Sequence, residues 1–189
     1  MKIGIIGNGN VGSALERGLK RGGHDVRATG RENVRETAEW GELIIIAVPF
    51  GAVGDALKTM SDAVDGKVLI DATNALDDNM GLAVGCTTSG AEELQRKAPR
   101  AKVVKAFNTN FAQHMDSGHV GDAVLTVFAA GDDEGARETV LQLAREIGFD
   151  AVNAGPLQNA RWLETLAYLN IQLGYVVGHG TLTGFHYIH

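Results

Sequence analysis

The residues best suited to chemistry stand near the start of the chain: Gly7-Asn8-Gly9-Asn10-Val11-Gly12. They follow a short apolar run, Ile3 to Ile6, and lead into a helical pattern, SALERGLKRGG. Glycines at this spacing, after a strand and before a helix, form a cradle for the pyrophosphate of a dinucleotide. Gly7 permits the tight turn, Gly9 lets a phosphate approach the backbone, and Gly12 lets helix and strand pack closely. The helix N-terminus adds unpaired N–H groups and partial positive charge, so Asn8, Asn10 and Val11 join the glycines as candidate contacts. A bound nicotinamide brings hydride chemistry with it. The protein must then align donor and acceptor carbons about 3–3.5 Å apart.

The end of the second strand reads Ala28-Thr29-Gly30-Arg31. NAD-selective sites usually carry a carboxylate here for the ribose 2′-hydroxyl. No carboxylate ends this strand. Arg31 can stack on adenine and pair with a 2′-phosphate, Thr29 can hydrogen-bond it, and Arg35 stands one helical turn further on. NADP is therefore the expected cofactor, bound through Thr29, Gly30, Arg31 and Arg35. Glu32 keeps NAD open, and a solvated Arg31 is the competing reading.

In an open α/β sheet, ligands bind beyond the carboxyl ends of the strands. Four segments reach that edge: 47–50, 71–74, 106–110 and 154–157. Val48, Pro49 and Phe50 offer an apolar wall to the cofactor. Asn74, Asn108 and Thr109 offer uncharged donors and acceptors, although Asn and Thr also suit plain turns. No nucleophile, base and orienting group stand together, and no cluster has metal-ligand spacing, so no metal is expected. His114 and His119, in AQHMDSGH, either reach the cleft or sit on the surface. His179, His186 and His189 receive no role. Cys86 has no neighbouring base and reads as a plain small residue.

The elements that must position these residues alternate strand and helix. Candidate strands cover 2–6, 25–29, 43–48, 68–71, 103–106, 123–129 and 150–153. Candidate helices cover 11–21, 34–39, 52–61, 91–97, 133–147 and 158–177. Asp132 or Asp133 is placed to cap the helix at 133–147, and Gly148 to end it. The rhythm predicts an α/β fold of Rossmann type: a doubly wound, mostly parallel sheet with a small C-terminal helical element. The nucleotide-binding domain is expected over 1–155, with 156–189 a helix and tail completing the substrate site. The segment 71–90 is long and aperiodic, as functional loops often are.

Bulk properties exclude several classes. The 189 residues are 44% hydrophobic and 21% charged, ordinary for a globular protein. A net charge of -6 with no basic stripe argues against nucleic acid. No apolar run approaches the roughly 20 residues of a membrane span. The chain opens on a strand pattern, so no cleavable leader is expected, and a single cysteine fits a reducing compartment. The cytoplasm is the expected location.

These motifs resemble a known family. The chain is similar to the coenzyme F420-dependent NADP oxidoreductases, including bacterial NADPH-dependent F420 reductases. The resemblance covers most of the chain and rests on IGNGNVG, TGR, AVPF, CTTSGAEELQRKAPRAKVVKAFNT and NAGPLQNARWLETLAYLNIQLG. Related segments occur in the reductase domain of STEAP-type metalloreductases. The resemblance implies NADP stacked on a deazaflavin ring, with the nicotinamide near Pro49 and Phe50. The second ring would lie near Phe107, Asn108, Arg161 and Thr165, with Asn108 and Thr165 in the catalytic positions. Asn108 replaces a histidine of the archaeal pattern, and Ala167 replaces a hydroxyl residue. Lys105 and Arg161 are the cations available to an anionic F420 tail.

The expected function is hydride transfer between NADP(H) and coenzyme F420. Two alternatives stay open: an NADPH-dependent reductase of FMN, FAD or a quinone-like acceptor, and a non-catalytic NADP-binding redox sensor. The partner is a small-molecule redox cofactor. A homodimer is also expected, because Trp162, Leu166, Leu169, Ile171 and Leu173 give the last helix more apolar surface than one sheet edge covers.

Overall fold

In the computed structural model, described over residues 1–77, 79–85 and 87–188, β3 (Leu43–Ile46) is the most deeply buried strand. Its four side chains are 2%, 0%, 0% and 0% exposed. Alternate residues enter opposite cores. Leu43 and Ile45 join one apolar cluster, and Ile44 and Ile46 the other. Such two-sided burial, roughly 1.5–3 kcal/mol per large aliphatic side chain, is what a parallel sheet covered by helices on both faces requires.

In chain order the elements are β1 (Lys2–Ile6), α1 (Asn10–Arg21), β2 (Asp25–Thr29), α2 (Val34–Trp40), β3, α3 (Val53–Met60), β4 (Val68–Asp71), α4 (Gly90–Lys97) and β5 (Lys102–Lys105). Then come β6 (His119–Val120), β7 (Ala123–Val124), β8 (Thr126–Gly131), α5 (Glu134–Ile147), β9 (Asp150–Asn153) and α6 (Ala160–Ile171). The main sheet has seven strands in the order β2-β1-β3-β4-β5-β8-β9. Every pairing is parallel except β5 with β8. Apolar residues of α1 and α5 cover one face, and those of α2, α3 and α4 the other.

Three expectations change. The strand expected over 43–48 ends at Ile46, although the Ala47 N–H still donates to the Ile6 carbonyl. Pro49 lacks an N–H and turns the chain into a short 3-10 helix, Phe50–Ala52. The strand expected over 123–129 divides: β7 pairs back on β6 as a hairpin, and β8 enters the sheet antiparallel. The connection from β5 to β8 contains no crossover helix, which a parallel entry would need. The helix expected over 158–177 begins as a 3-10 turn, Leu157–Asn159, and ends in a π-helical turn, Gln172–Val176. There Gly174 packs so tightly that an added Cβ would lie 2.7 Å from Phe111.

Asp133 caps α5 by accepting from the Ala136 N–H, and Gly148 ends it with φ +122°. No helix among the described residues is long and apolar enough to cross a membrane. Cys86 and His189 lie outside the described residues.

Candidate functional site

The glycine turn is built as its spacing predicts. Gly7 has φ +119°, and a Cβ there would lie 2.2 Å from the Ala47 carbonyl oxygen. A Cβ at Gly12 would lie 1.8 Å from the Gly7 carbonyl oxygen. These two glycines seat β1, α1 and the β3 end against one another. Gly9 differs: its backbone is extended, and a Cβ would meet nothing within 4 Å. It stands at the N-terminus of α1 with no side chain capping the helix and no acidic residue in the first turn. The N–H groups of the first helical turn lack i−4 partners, which leaves a cradle suited to a phosphate. The Ser13 hydroxyl donates to the Asn8 carbonyl at 3.0 Å, and the Gly7 N–H to the Thr29 carbonyl at 2.7 Å, so the turn and the β2 end form one unit.

Beside it, Gly30 and Arg31 border a cavity of about 450 Å³ with Val34, Val48, Ala52 and Ala56. Arg31 is exposed and has no ion pair among the described residues. Val48 faces this cavity, on the β2 side of the cleft. The Thr29 hydroxyl donates to the Glu32 carbonyl. Arg35 is turned to Glu39 at 2.8 Å and Asp62 at 2.9 Å, and its hydrogen bond and charge contact with Asp62 hold its guanidinium above the usual value. A 2′-phosphate would have to draw it from these exposed, solvent-screened pairs. A larger cavity, about 720 Å³, lies elsewhere, between the C-terminal ends of α3 and α4.

At the ends of β4 and β5 stands a cluster of buried charges. Lys105 is 0% exposed, Asp71 2% and Glu164 5%. The ammonium lies 3.0 Å from Asp71 and 3.1 Å from Glu164, and donates to the Thr73 carbonyl at 2.6 Å. Burial works against the Lys105 charge, but Asp71 and Glu164 outweigh it and hold the ammonium above the usual lysine value. Its stabilising effect is therefore present at neutral pH and lost only as pH rises through that raised value. Glu164 also accepts from the Gly90 N–H at 2.9 Å and the Ala91 N–H at 3.3 Å, so an acid of α6 occupies the N-terminus of α4. There the Ser89 hydroxyl caps α4 by accepting from the Glu92 N–H at 3.1 Å and donates to the Glu92 carboxylate at 2.8 Å.

Asn108 is 3% exposed. Its Nδ2 donates to the Leu163 carbonyl at 3.1 Å and lies 3.4 Å from Asn74 Oδ1. Its Oδ1 is buried with no hydrogen-bond partner among the described residues, a costly state for an acceptor unless something else supplies a donor. Asn74 is half-buried, and Phe50 packs where a Gly90 Cβ would stand, 2.8 Å from the Phe50 ring.

Several residues stand differently from their expected places. Phe107 adopts φ +68° and is 1% exposed, its ring edge-on to Phe149 at 6.1 Å. It is a core residue and cannot face a second ring. Lys105 and Arg161 cannot meet an anionic tail as they stand. Lys105 is sealed between two carboxylates, and Arg161 makes a two-pronged bond to Glu92 at 2.7 and 2.8 Å. Thr165 is exposed and bonds its own helix at the Arg161 carbonyl, on the outward side of α6 with Trp162 and Leu169. Leu163, Glu164, Ala167 and Asn170 form the inward side. Asn108 and Thr165 therefore do not meet. His114 bonds the Thr181 carbonyl and His119 the Ser117 carbonyl. No group of three or more metal-ligating side chains occurs among the described residues.

The Arg161 bonds hold Glu92 below the usual carboxylate range against the opposing effect of burial, with Ser89 assisting. A depressed carboxylate stabilises above its unfolded value of about 4.3 and loses that contribution as pH falls through the lower folded value. The contact of α4 with α6 should thus weaken only in acid. Thermal unfolding between pH 3 and 6 is expected to fall more steeply with acidification for the wild type than for Glu92→Gln.

Residues 2–40 match the family model described as NADP oxidoreductase, coenzyme F420-dependent. The F420-dependent NADP reductase of Methanothermobacter marburgensis is 33% identical over 157 residues, which span 79% of this chain and 69% of that one. The chain belongs to the coenzyme F420-dependent NADP oxidoreductase family. These are NADP-linked oxidoreductases. A crystal structure assigned as an F420-dependent NADP-reductase from Arthrobacter sp. fb24 superposes with a TM-score of 0.91 at 28% identity, covering 100% of both chains. Metalloreductase STEAP3 of Rattus norvegicus is 30% identical over 181 residues. That match takes in 87% of this chain and 36% of the metalloreductase, so the chain spans about a third of that relative's length.

Sequence reasoning missed the Asp71–Lys105–Glu164 cluster. Its signal was present in VLID and KVVK, apolar strands that each end on a charge. A charge at the buried end of a central strand needs a partner.

Proposed function

We propose that this chain transfers hydride between NADP(H) and the deazaflavin ring of coenzyme F420. The pyrophosphate lies on Gly7, Asn8, Gly9, Asn10, Val11 and Gly12. The 2′-phosphate meets Thr29, Gly30 and Arg31, with Arg35 drawn in from its surface pairs. Val48 packs toward the adenosine, while Pro49, Phe50 and Asn74 border the nicotinamide. The acceptor ring lies over Asn108, and segment 156–189 closes that side through α6. Thr165, on the outward side of that helix, does not reach this ring.

The observation that carries this reading is the orphaned Asn108 Oδ1 at the strand ends. A flat ring bearing an imide N–H would satisfy it by opening a path to this buried atom as it binds. F420 and NADP supply the redox chemistry when bound. The chain's residues align the rings, exclude water and hold polar edges, and hydride transfer between two rings asks little more of a protein. A flavin ring carries a similar imide edge, which keeps FMN or FAD as the second reading. NADPH oxidation followed with F420, FMN and FAD in parallel tests the proposal. Turnover with F420 supports it, turnover with flavins alone moves the acceptor, and NADP binding without turnover leaves the redox sensor.

Arg31 is the proposed cofactor reader. Arg31→Glu should reverse the preference to NAD, with NADP affinity falling at least about tenfold, or about 1.4 kcal/mol. Titration with both dinucleotides checks this, and unchanged affinities would remove Arg31 from the role.

The outward side of α6 and its extension presents Trp162 at 58% exposure, Leu169 at 50%, Tyr175 at 66% and Val176 at 71%. We take this stripe as the contact of a homodimer in the cytoplasm. A monomeric mass by light scattering would sink it.

A further inference from the structure

We infer that Lys105 is a positioning residue whose buried ammonium sets Asn74 and Asn108 against each other at the acceptor end of the cleft. This rests on the reading above that the acceptor ring lies there.

The bonds form a closed circuit. Lys105 Nζ donates to Asp71 Oδ2 at 3.0 Å and to the Thr73 carbonyl at 2.6 Å, and meets Glu164 Oε1 at 3.1 Å. Thr73 immediately precedes Asn74. Its N–H and hydroxyl also donate to Asp71 Oδ1, at 2.9 and 2.7 Å. Glu164 immediately follows Leu163, whose carbonyl accepts from Asn108 Nδ2 at 3.1 Å. That same Nδ2 reaches Asn74 Oδ1 at 3.4 Å. One cation on β5 thus fastens the loop after β4 and the middle of α6, and each carries one of the two amide contacts.

A buried polar network fixes geometry only while every member is satisfied. Without the cation, Asp71 and Glu164 repel each other, and the loop and α6 are the parts free to separate. The amides move with them. The phosphates and adenosine are assigned to the ends of β1 and β2, which no bond of this circuit touches. Loss of Lys105 function should therefore strike the hydride step more than dinucleotide binding. A displacement of about 1 Å at a reacting centre costs up to about 100-fold in rate.

Glu164→Gln and Lys105→Met test this. Glu164→Gln leaves Lys105 and Asp71 as a balanced pair, so it should lose less stability than Lys105→Met, which strands two buried carboxylates. A glutamine has one oxygen. It cannot accept from both Lys105 and the Gly90 N–H without aiming its NH₂ at a donor. In the folded variant, kcat for acceptor reduction should fall at least about tenfold, with a smaller change in NADP affinity, because Asn74 borders only the nicotinamide end. The primary isotope effect from 4-deuterated NADPH should rise, and the side-chain amide NMR signals of Asn74 and Asn108 should shift. Unmoved amide signals with an unchanged kcat would overturn the inference. A loss confined to the fraction of folded protein, with the isotope effect unaltered, would also overturn it by reducing Lys105 to a structural role. Absence of wild-type turnover with any acceptor would overturn the functional reading alone, and the amide signals would then decide the positioning by themselves.

Discussion

Gly9→Ala should fold as the wild type does and bind NADP at least about tenfold more weakly, a loss of about 1.4 kcal/mol or more. An added Cβ at Gly9 meets no protein atom within 4 Å, and its φ of -75° suits alanine. The methyl group instead enters the space above the first turn of α1, where a phosphate would sit. Gly12→Ala should behave in the opposite way. Its Cβ would lie 1.8 Å from the Gly7 carbonyl oxygen and 2.8 Å from the Gly7 carbonyl carbon, both backbone atoms. The cost there is to folding, about 1–3 kcal/mol or more for forced overpacking. Thermal unfolding with NADP titration separates the two. An unchanged affinity in a folded Gly9→Ala would mean that no phosphate approaches the turn.

Lys105→Met should destabilise the chain by about 3–5 kcal/mol, because it leaves Asp71 and Glu164 buried without their cation. For a domain of this size the unfolding midpoint should drop on the order of 10 °C. The triple variant Lys105→Met, Asp71→Asn, Glu164→Gln should recover much of that loss. Replacing all charges of a buried cluster is often neutral, whereas removing one partner is not. Denaturant unfolding of the single and triple variants checks this. Equal losses would show that the penalty comes from packing and not from uncompensated charge.

How much was legible in the sequence follows from which forces act locally. The β1–turn–α1 unit could be read because strand, glycine spacing and helix are consecutive, and each glycine has a local steric reason. The boundary changes also have local causes, such as Pro49 ending β3. The antiparallel entry of β8 was hidden because it depends on a missing crossover helix within an irregular segment. The site was legible only as a set of strand ends. Asn74 and Asn108 emerged as candidates and do meet, at 3.4 Å. Lys105 and Arg161 looked free because their partners, Asp71 with Glu164 and Glu92, are 34, 59 and 69 residues away in the chain. Phe107 looked available because a sequence pattern cannot show a backbone turned to φ +68°. Thr165 and Glu164 are neighbours in sequence, yet the helix sends one outward and the other into the core.

The most direct test of the central claim is stopped-flow absorbance of the protein mixed with NADPH and oxidised F420, with FMN as a parallel acceptor. Hydride transfer from NADPH to the deazaflavin predicts bleaching of the F420 band in step with the loss of NADPH absorbance. An unchanged F420 band while NADP binds normally would contradict it, and bleaching of FMN alone would assign the same site to flavin.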